Sequence, residues 1–288
     1  MRRSPRSALA LLIAVVLGCH HDRAPENPVT KMGLTETALD HSLIENAAGF
    51  ADSWLSPDSG VHFTPSWKIG NSQGDKGNVA IYAIGELHAP RSYMVAVPVG
   101  CRCVFIQPRT FEAWLNDHLS HTGLTLEVSE DRLLAFMLLH EAGHIVHGDP
   151  GQFDGSGNGP LNTGTTIEKT REQSADAFAV QQLKQAILRT KGTDAWMSAQ
   201  FATIDLSNLS FEMLQVREER FFGSETLGTP EDFDDLGYTH PNFELRLLTV
   251  NDAISNTKAS HELLANFLAK RAPHNPVLFQ APGANLTQ

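Results

Sequence analysis

Two histidines four residues apart, His140 and His144, with Glu141 directly after the first, make the pattern His-Glu-x-x-His. On a helix, residues four apart lie on one face, about 40° from eclipsed, so both imidazoles can reach one ion while Glu141 projects beside them. The chemistry this suits is zinc-assisted hydrolysis, with two metal ligands and a carboxylate to take a proton from water. With 13 His among 288 residues, composition alone produces the pentapeptide in roughly 3 of 100 such chains, so other residues must complete the site. A catalytic zinc takes three protein ligands and leaves a position for water. Glu172 follows His144 by 28 positions and becomes the third ligand if the next helix folds back on the first. Asp176, one turn further on, is then placed to accept the outer imidazole N–H of a ligand histidine and fix its tautomer.

The elements that must hold these residues are mostly helical. The motif ends the apolar run Leu133 to Leu139, free of Pro and Gly, which predicts a buried helix capped at Ser129 and stopped by Gly148-Asp149-Pro150. Ile167 to Leu188 predicts the helix of Glu172 and Asp176, with Ala175, Ala177 and Ala179 permitting close packing. Further helices are expected over 36–55, 111–119 with Thr110 as its cap, 196–204, 210–222, 243–254 and 260–271. Strand-like runs precede the motif at 61–63, 78–84, 93–99 and 103–106, and predict a small antiparallel sheet in which Pro98 marks an edge or a bend. An edge strand there can pair with an extended peptide, or the sheet only packs on the helix. The Gly-, Asn- and Thr-rich stretch 151–166 follows a helix and lacks a lysine, so it reads as a loop near the metal and not as a phosphate loop. The fold class is α+β, mainly helical.

Three ordered elements carry a resemblance. His140-Glu141-Ala142-Gly143-His144, then Glu172-Gln173-Ser174-Ala175-Asp176, then His240-Pro241-Asn242-Phe243-Glu244-Leu245-Arg246 are similar to the HExxH, ExxxD and HPxxxxR elements of the M48 family of zinc metallopeptidases. The likeness covers roughly Ser129 to Leu248. It implies a zincin-like domain with one zinc on His140, His144 and Glu172, and Glu141 as general base. It also implies Asp176 behind His140, His240 stabilising the oxyanion, Arg246 anchoring the ExxxD helix or the site's carboxylates, and a polypeptide substrate. The long membrane-spanning helices of some members of that family have no counterpart here.

At the N-terminus, Arg2, Arg3 and Arg6 precede the apolar segment Ala8 to Leu17, too short for a membrane span and suited to a secretory signal. Val16-Leu17-Gly18-Cys19 resembles the lipobox of bacterial lipoproteins, which implies cleavage before Cys19 and lipidation of its thiol. The alternative is an ordinary signal with an incidental cysteine. The chain then divides into a signal over 1–18, a lipid-anchored tether over 19–35, the metallopeptidase domain over 36–272 and a loosely ordered tail over 273–288. The expected location is the bacterial envelope, facing the periplasm, and His20 in place of an Asp favours the outer membrane by resemblance to sorting patterns.

The formal charge of −11 becomes more negative once the signal's arginines are removed, which argues against nucleic acid as a partner. Cys101 and Cys103 either pair locally in an exported protein or stay free, and with no other donors near them they do not make a metal site. His147 reads as a surface or hydrogen-bonding histidine. Two other readings compete with an envelope peptidase. An ImmA/IrrE-like regulatory metallopeptidase shares similar elements, but export and His240-Pro241 speak against it. A non-catalytic zinc-binding lipoprotein or chaperone would have no need of Glu141.

Overall fold

The computed structural model describes residues 27–69, 77–85, 94–119, 127–151, 166–217 and 243–271. Four strands form one sheet: β1 (His62–Pro65), β2 (Asn78–Ala83), β3 (Val95–Ala96) and β4 (Cys103–Ile106), in the order β1-β2-β4-β3. The helices are α1 (Pro28–Lys31), α2 (His41–Trp54), α3 (Pro108–Leu119), α4 (Glu130–His147), α5 (Thr166–Arg189), α6 (Asp194–Arg217), α7 (Phe243–Ser255) and α8 (Lys258–Arg271). Among the described residues no helix is long and apolar enough to cross a membrane.

The mainly helical α+β expectation is met, but the sheet is mixed and not antiparallel. β1 runs parallel to β2, and β2 parallel to β4; only β3 lies antiparallel to β4. The dozen residues 66–77 between β1 and β2 are enough for the crossover that parallel pairing needs. β2 and β4 are neighbours, and β3, which lies between them in sequence, forms the short edge ahead of Pro98. Burial on both faces follows. Phe63, Val79, Ile81, Val104 and Ile106 join the helical core, while Ala96, Cys103 and Phe105 pack with Val29 and Ile84 on the other side.

α4 is the central helix. It packs against α2, α5, α6 and β3, and its residues from Leu133 to Ala142 include Leu134, Ala135, Leu138 and Leu139 at zero exposure. A helix apolar on every side belongs in a core. Ser129 occupies its N-cap position, but the hydroxyl is bonded to Asp131 and makes no cap to the backbone. Gly148 ends it with φ +73°, and the N–H of Asp149 returns to the carbonyl of His144 at 3.0 Å.

Three helix boundaries differ from those expected. α2 begins at His41 because Asp40 is left-handed and Glu36 bridges to Ile84 of the sheet. α3 begins at Pro108, which suits a first helical turn, so Thr110 lies inside the helix. α6 runs unbroken through 205–209: Leu206 and Leu209 are buried, and Ser207 and Ser210 donate to the carbonyls four residues back at 2.9 and 2.6 Å. Cys101 and Cys103 are joined as a disulfide in the turn that leads into β4.

α4 and α5 meet at the motif's own glycine. A methyl group added at Gly143 would lie 2.8 Å from the Cα of Ala175. Ala175 and Ala179 are fully buried at this contact, whereas Ala177 faces away and is partly exposed. The expected result for Gly143→Ala is a net loss of stability. Helix propensity gains about 1 kcal/mol, but overpacking against backbone costs about 1–3 kcal/mol, and the two helices must separate. Urea denaturation of the metal-free protein tests this; a variant as stable as wild type would show that the close approach is not required.

Candidate metal centre

The turn-by-turn geometry of α4 and α5 brings His140, His144 and Glu172 together as a buried group that can hold a metal ion. The two Nε2 atoms are 3.1 Å apart. Glu172 places Oε2 3.3 Å from Nε2 of His140 and Oε1 3.3 Å from Nε2 of His144. A tetrahedral ion with bonds of about 2.0–2.1 Å separates its ligand atoms by about 3.3–3.4 Å. Each of the three contacts is within about 0.3 Å of that edge, the two from Glu172 being made by its two different oxygens. Glu172 is wholly buried and the imidazoles nearly so.

Each imidazole is held from behind by a carboxylate. Nδ1 of His140 lies 2.9 Å from Oδ1 of Asp176, one turn beyond Glu172. Nδ1 of His144 lies 2.8 Å from Oδ2 of Asp149. With Nδ1–H donated to a carboxylate in both rings, Nε2 is left as the lone-pair donor on both, and both point to the same place. Sequence reasoning took Asp149 only as part of a helix stop. Its role depends on the left-handed turn at Gly148, which folds the next residue back over the helix end. A Gly-Asp pair directly after a histidine helix was the available signal.

Arg246 of α7 closes the group. It binds Asp176 through two parallel bonds, Nε to Oδ2 at 2.9 Å and Nη2 to Oδ1 at 2.8 Å, and Nη1 lies 3.2 Å from Oε2 of Glu172. Arg171, more exposed, approaches the far oxygen of Asp149 at 3.3 Å. Glu141 is buried beside the imidazoles and accepts the N–H of Val97, just past β3, at 3.1 Å. His147 is exposed, its ring edge-on to Phe178, and takes no part. His240 and Cys19 lie outside the described residues, as do the signal and tail segments and most of the loop 151–166.

The electrostatics follow from burial and pairing. Burial favours the neutral form of Asp176, but Arg246 and the bond to His140 outweigh it and hold its carboxyl down at about 2. Burial likewise disfavours a charged His140, yet its bonds to Asp176 and Glu172 raise it to about 10 when no cation is bound. His144 is raised by its bond to Glu172 against the same burial cost. Glu141 is raised by burial, with His140 and His144 pulling the other way.

Two measurements check this arrangement. Asp149→Ala and Asp176→Ala are each expected to weaken metal binding about ten- to a hundredfold, read by competition with a chromophoric chelator; unchanged affinity in Asp149→Ala would remove it from the site. The proton on His140 gives a pH dependence. Its folded pKa lies above the ordinary 6.5, so in the metal-free protein its contribution to stability is full below about 6.5 and lost as pH rises through about 10. A cation must expel that proton, so apparent metal affinity should rise about tenfold per pH unit between about pH 6 and 8.

Compared with protein-family models, curated proteins and solved structures, the chain matches none, so the likeness to M48 peptidases stands on its three short motifs alone.

Proposed function

We propose that this chain is a zinc-dependent endopeptidase of M48 type, acting on polypeptides in the bacterial envelope and anchored there through Cys19. The observation that carries the proposal is the triangle of donors from His140, His144 and Glu172 with Glu141 buried at its side. Two imidazoles and one carboxylate are the ligand set of a catalytic zinc, which keeps a coordination position for water or substrate. When bound, zinc supplies an electrophile for a carbonyl oxygen and brings water's pKa near neutrality.

The chain's own residues do the rest. Glu141 takes the proton of the attacking water and later returns it to the leaving amine. Its carboxylate suits that exchange because burial raises its basicity. Asp176 and Asp149 fix the tautomers of His140 and His144 and keep Nε2 directed at the ion. Arg246 pairs with both Asp176 and Glu172 and offsets part of their charge. β3 is the last strand of the described sheet, and Val97 just past it holds Glu141 in place beside the donors.

The test uses purified full-length protein, casein as a generic substrate, and a chelator control. Glu141→Gln should keep one zinc per chain by elemental analysis and lose about two to four orders of magnitude in cleavage rate. Full activity in that variant, or cleavage indifferent to chelation, would exclude the mechanism.

A further inference from the structure

The turn between β3 and β4 is built around the bridge from Cys101 to Cys103. A cross-link stabilises mainly by restricting the unfolded chain, and the gain grows with the loop it closes. With a sequence separation of 2, this one restricts little, so what it fixes is the shape of the turn. The turn lies at the surface: Val99 is 47% exposed, Gly100 and Arg102 are exposed, and Cys101 is half-buried, whereas Cys103 is buried in β4. The same segment reaches the metal centre at two points. The N–H of Val97 donates to Oε2 of Glu141 at 3.1 Å. The carbonyl of Pro98, which accepts the N–H of Cys101 at 3.2 Å, packs on Gly151, two residues after the Asp149 that holds Nδ1 of His144.

We propose that the Cys101–Cys103 bridge is a redox switch on the metal centre: closed, it sets the turn that braces Glu141 and the Asp149 segment, and opened by a dithiol it lowers the affinity of His140, His144 and Glu172 for a divalent cation. Exposure decides which sulfur reacts. A thiolate of the reductant attacks Sγ of Cys101, the S–S bond breaks, and Cys103 leaves as a thiolate that takes a proton. The reductant's second thiolate then attacks its own sulfur in the mixed disulfide, which frees Cys101 as a thiol and leaves the reductant as a disulfide. Two electrons and two protons thus pass from the dithiol to the bridge. Once it is open, the turn keeps the hydrogen bond from Cys101 to Pro98 and the one from Nη2 of Arg102 to the carbonyl of Gly60 at 2.6 Å. Neither fixes Gly100, whose φ of +72° is one of several angles a glycine adopts freely. The turn can therefore reshape there, drawing the Pro98 carbonyl away from Gly151 and slackening the Asp149 segment. A ligand histidine that loses its outer carboxylate costs about ten- to a hundredfold in metal affinity.

The experiment measures the zinc affinity of full-length protein by competition with a chromophoric chelator in three states: as purified, after reduction with dithiothreitol and anaerobic removal of the reagent, and after reoxidation. Thiol titration follows the bridge itself. Affinity should fall at least about tenfold on reduction and return on reoxidation. Hydrogen exchange at the Val97 amide, read by NMR on the metal-free protein, should quicken in the same step. Zinc held by the freed thiols would instead raise affinity, and the double variant Cys101→Ser, Cys103→Ser removes them. That variant should bind zinc as weakly as the reduced wild type and ignore dithiothreitol, while reduction of the wild type makes the same test with no substitution. Affinity equal or tighter after reduction overturns the proposal, as does a bridge that dithiothreitol opens only once urea has unfolded the chain. A folded double variant that binds zinc like the oxidised wild type overturns it too. Peptide cleavage enters none of these readouts, so a failure of the peptidase reading leaves the switch standing, and a failure of the switch leaves the peptidase reading intact.

Discussion

The whole arrangement depends on how buried charge is balanced around Glu172. Glu172 has no exposure to solvent, and Asp176 and Glu141 are close to it in depth. Arg246 is the buried cation facing them, and it bonds Asp176 in the two-pronged geometry that makes such pairs strong. One guanidinium does not neutralise three carboxylates. In the metal-free chain the balance is made by protons: His140 holds one up to about pH 10, and Glu141 is shifted toward its neutral form. A divalent cation at the meeting point of the three donors does the same work with one particle. Removing a partner from a buried charge set costs far more than removing an exposed one, so the fold of α4, α5 and α7 is tied to what occupies that point.

Much of this centre was legible in the sequence, because helical spacing is local. His140, His144, Glu172 and Asp176 are placed by a period that any helix imposes, and two helices in succession tend to fold back on each other. Asp149 was not legible, since its position depends on a left-handed residue and a reversal that spacing on a helix does not encode. Arg246 came only from resemblance, and its partner Asp176 is 70 residues away in sequence. The strands were legible, but the antiparallel pairing expected of them was not what the sheet adopts. β-Branched runs mark a strand equally well whichever way its neighbour runs, and here the chain between the two central strands makes the outer edge. The expected split of α6 into two helices fails because the hydroxyls of Ser207 and Ser210 bond back into the helix while Leu206 and Leu209 anchor it in the core.

The sheet and the metal centre are joined at the turn between β3 and β4. Val97 donates to Glu141, the N–H of Cys101 returns to the carbonyl of Pro98 at 3.2 Å, and the disulfide to Cys103 closes the same turn. From the other side, Gly151 with φ +79° passes so near that a methyl group on it would lie 2.6 Å from that same carbonyl. Only glycine fits both the backbone angle and the distance. The segment leaving α4, which carries Asp149, is thus pressed against the segment that touches Glu141. The segments that supply the His144 anchor and the Glu141 contact are packed directly on each other.

That contact bears on how Glu141 would act in the role proposed for it. A general base works best when its pKa approaches the operating pH, and burial moves Glu141 in that direction. The Val97 N–H opposes the shift, since a hydrogen bond donated to a carboxylate favours its charged form. The two effects use different oxygens' worth of capacity: Val97 occupies Oε2, and a carboxylate accepts at both oxygens. One oxygen is therefore held by the backbone just past β3, which orients the group. In the role proposed for it, a carboxylate already held by the backbone next to β3 would need little reorganisation when a substrate arrives.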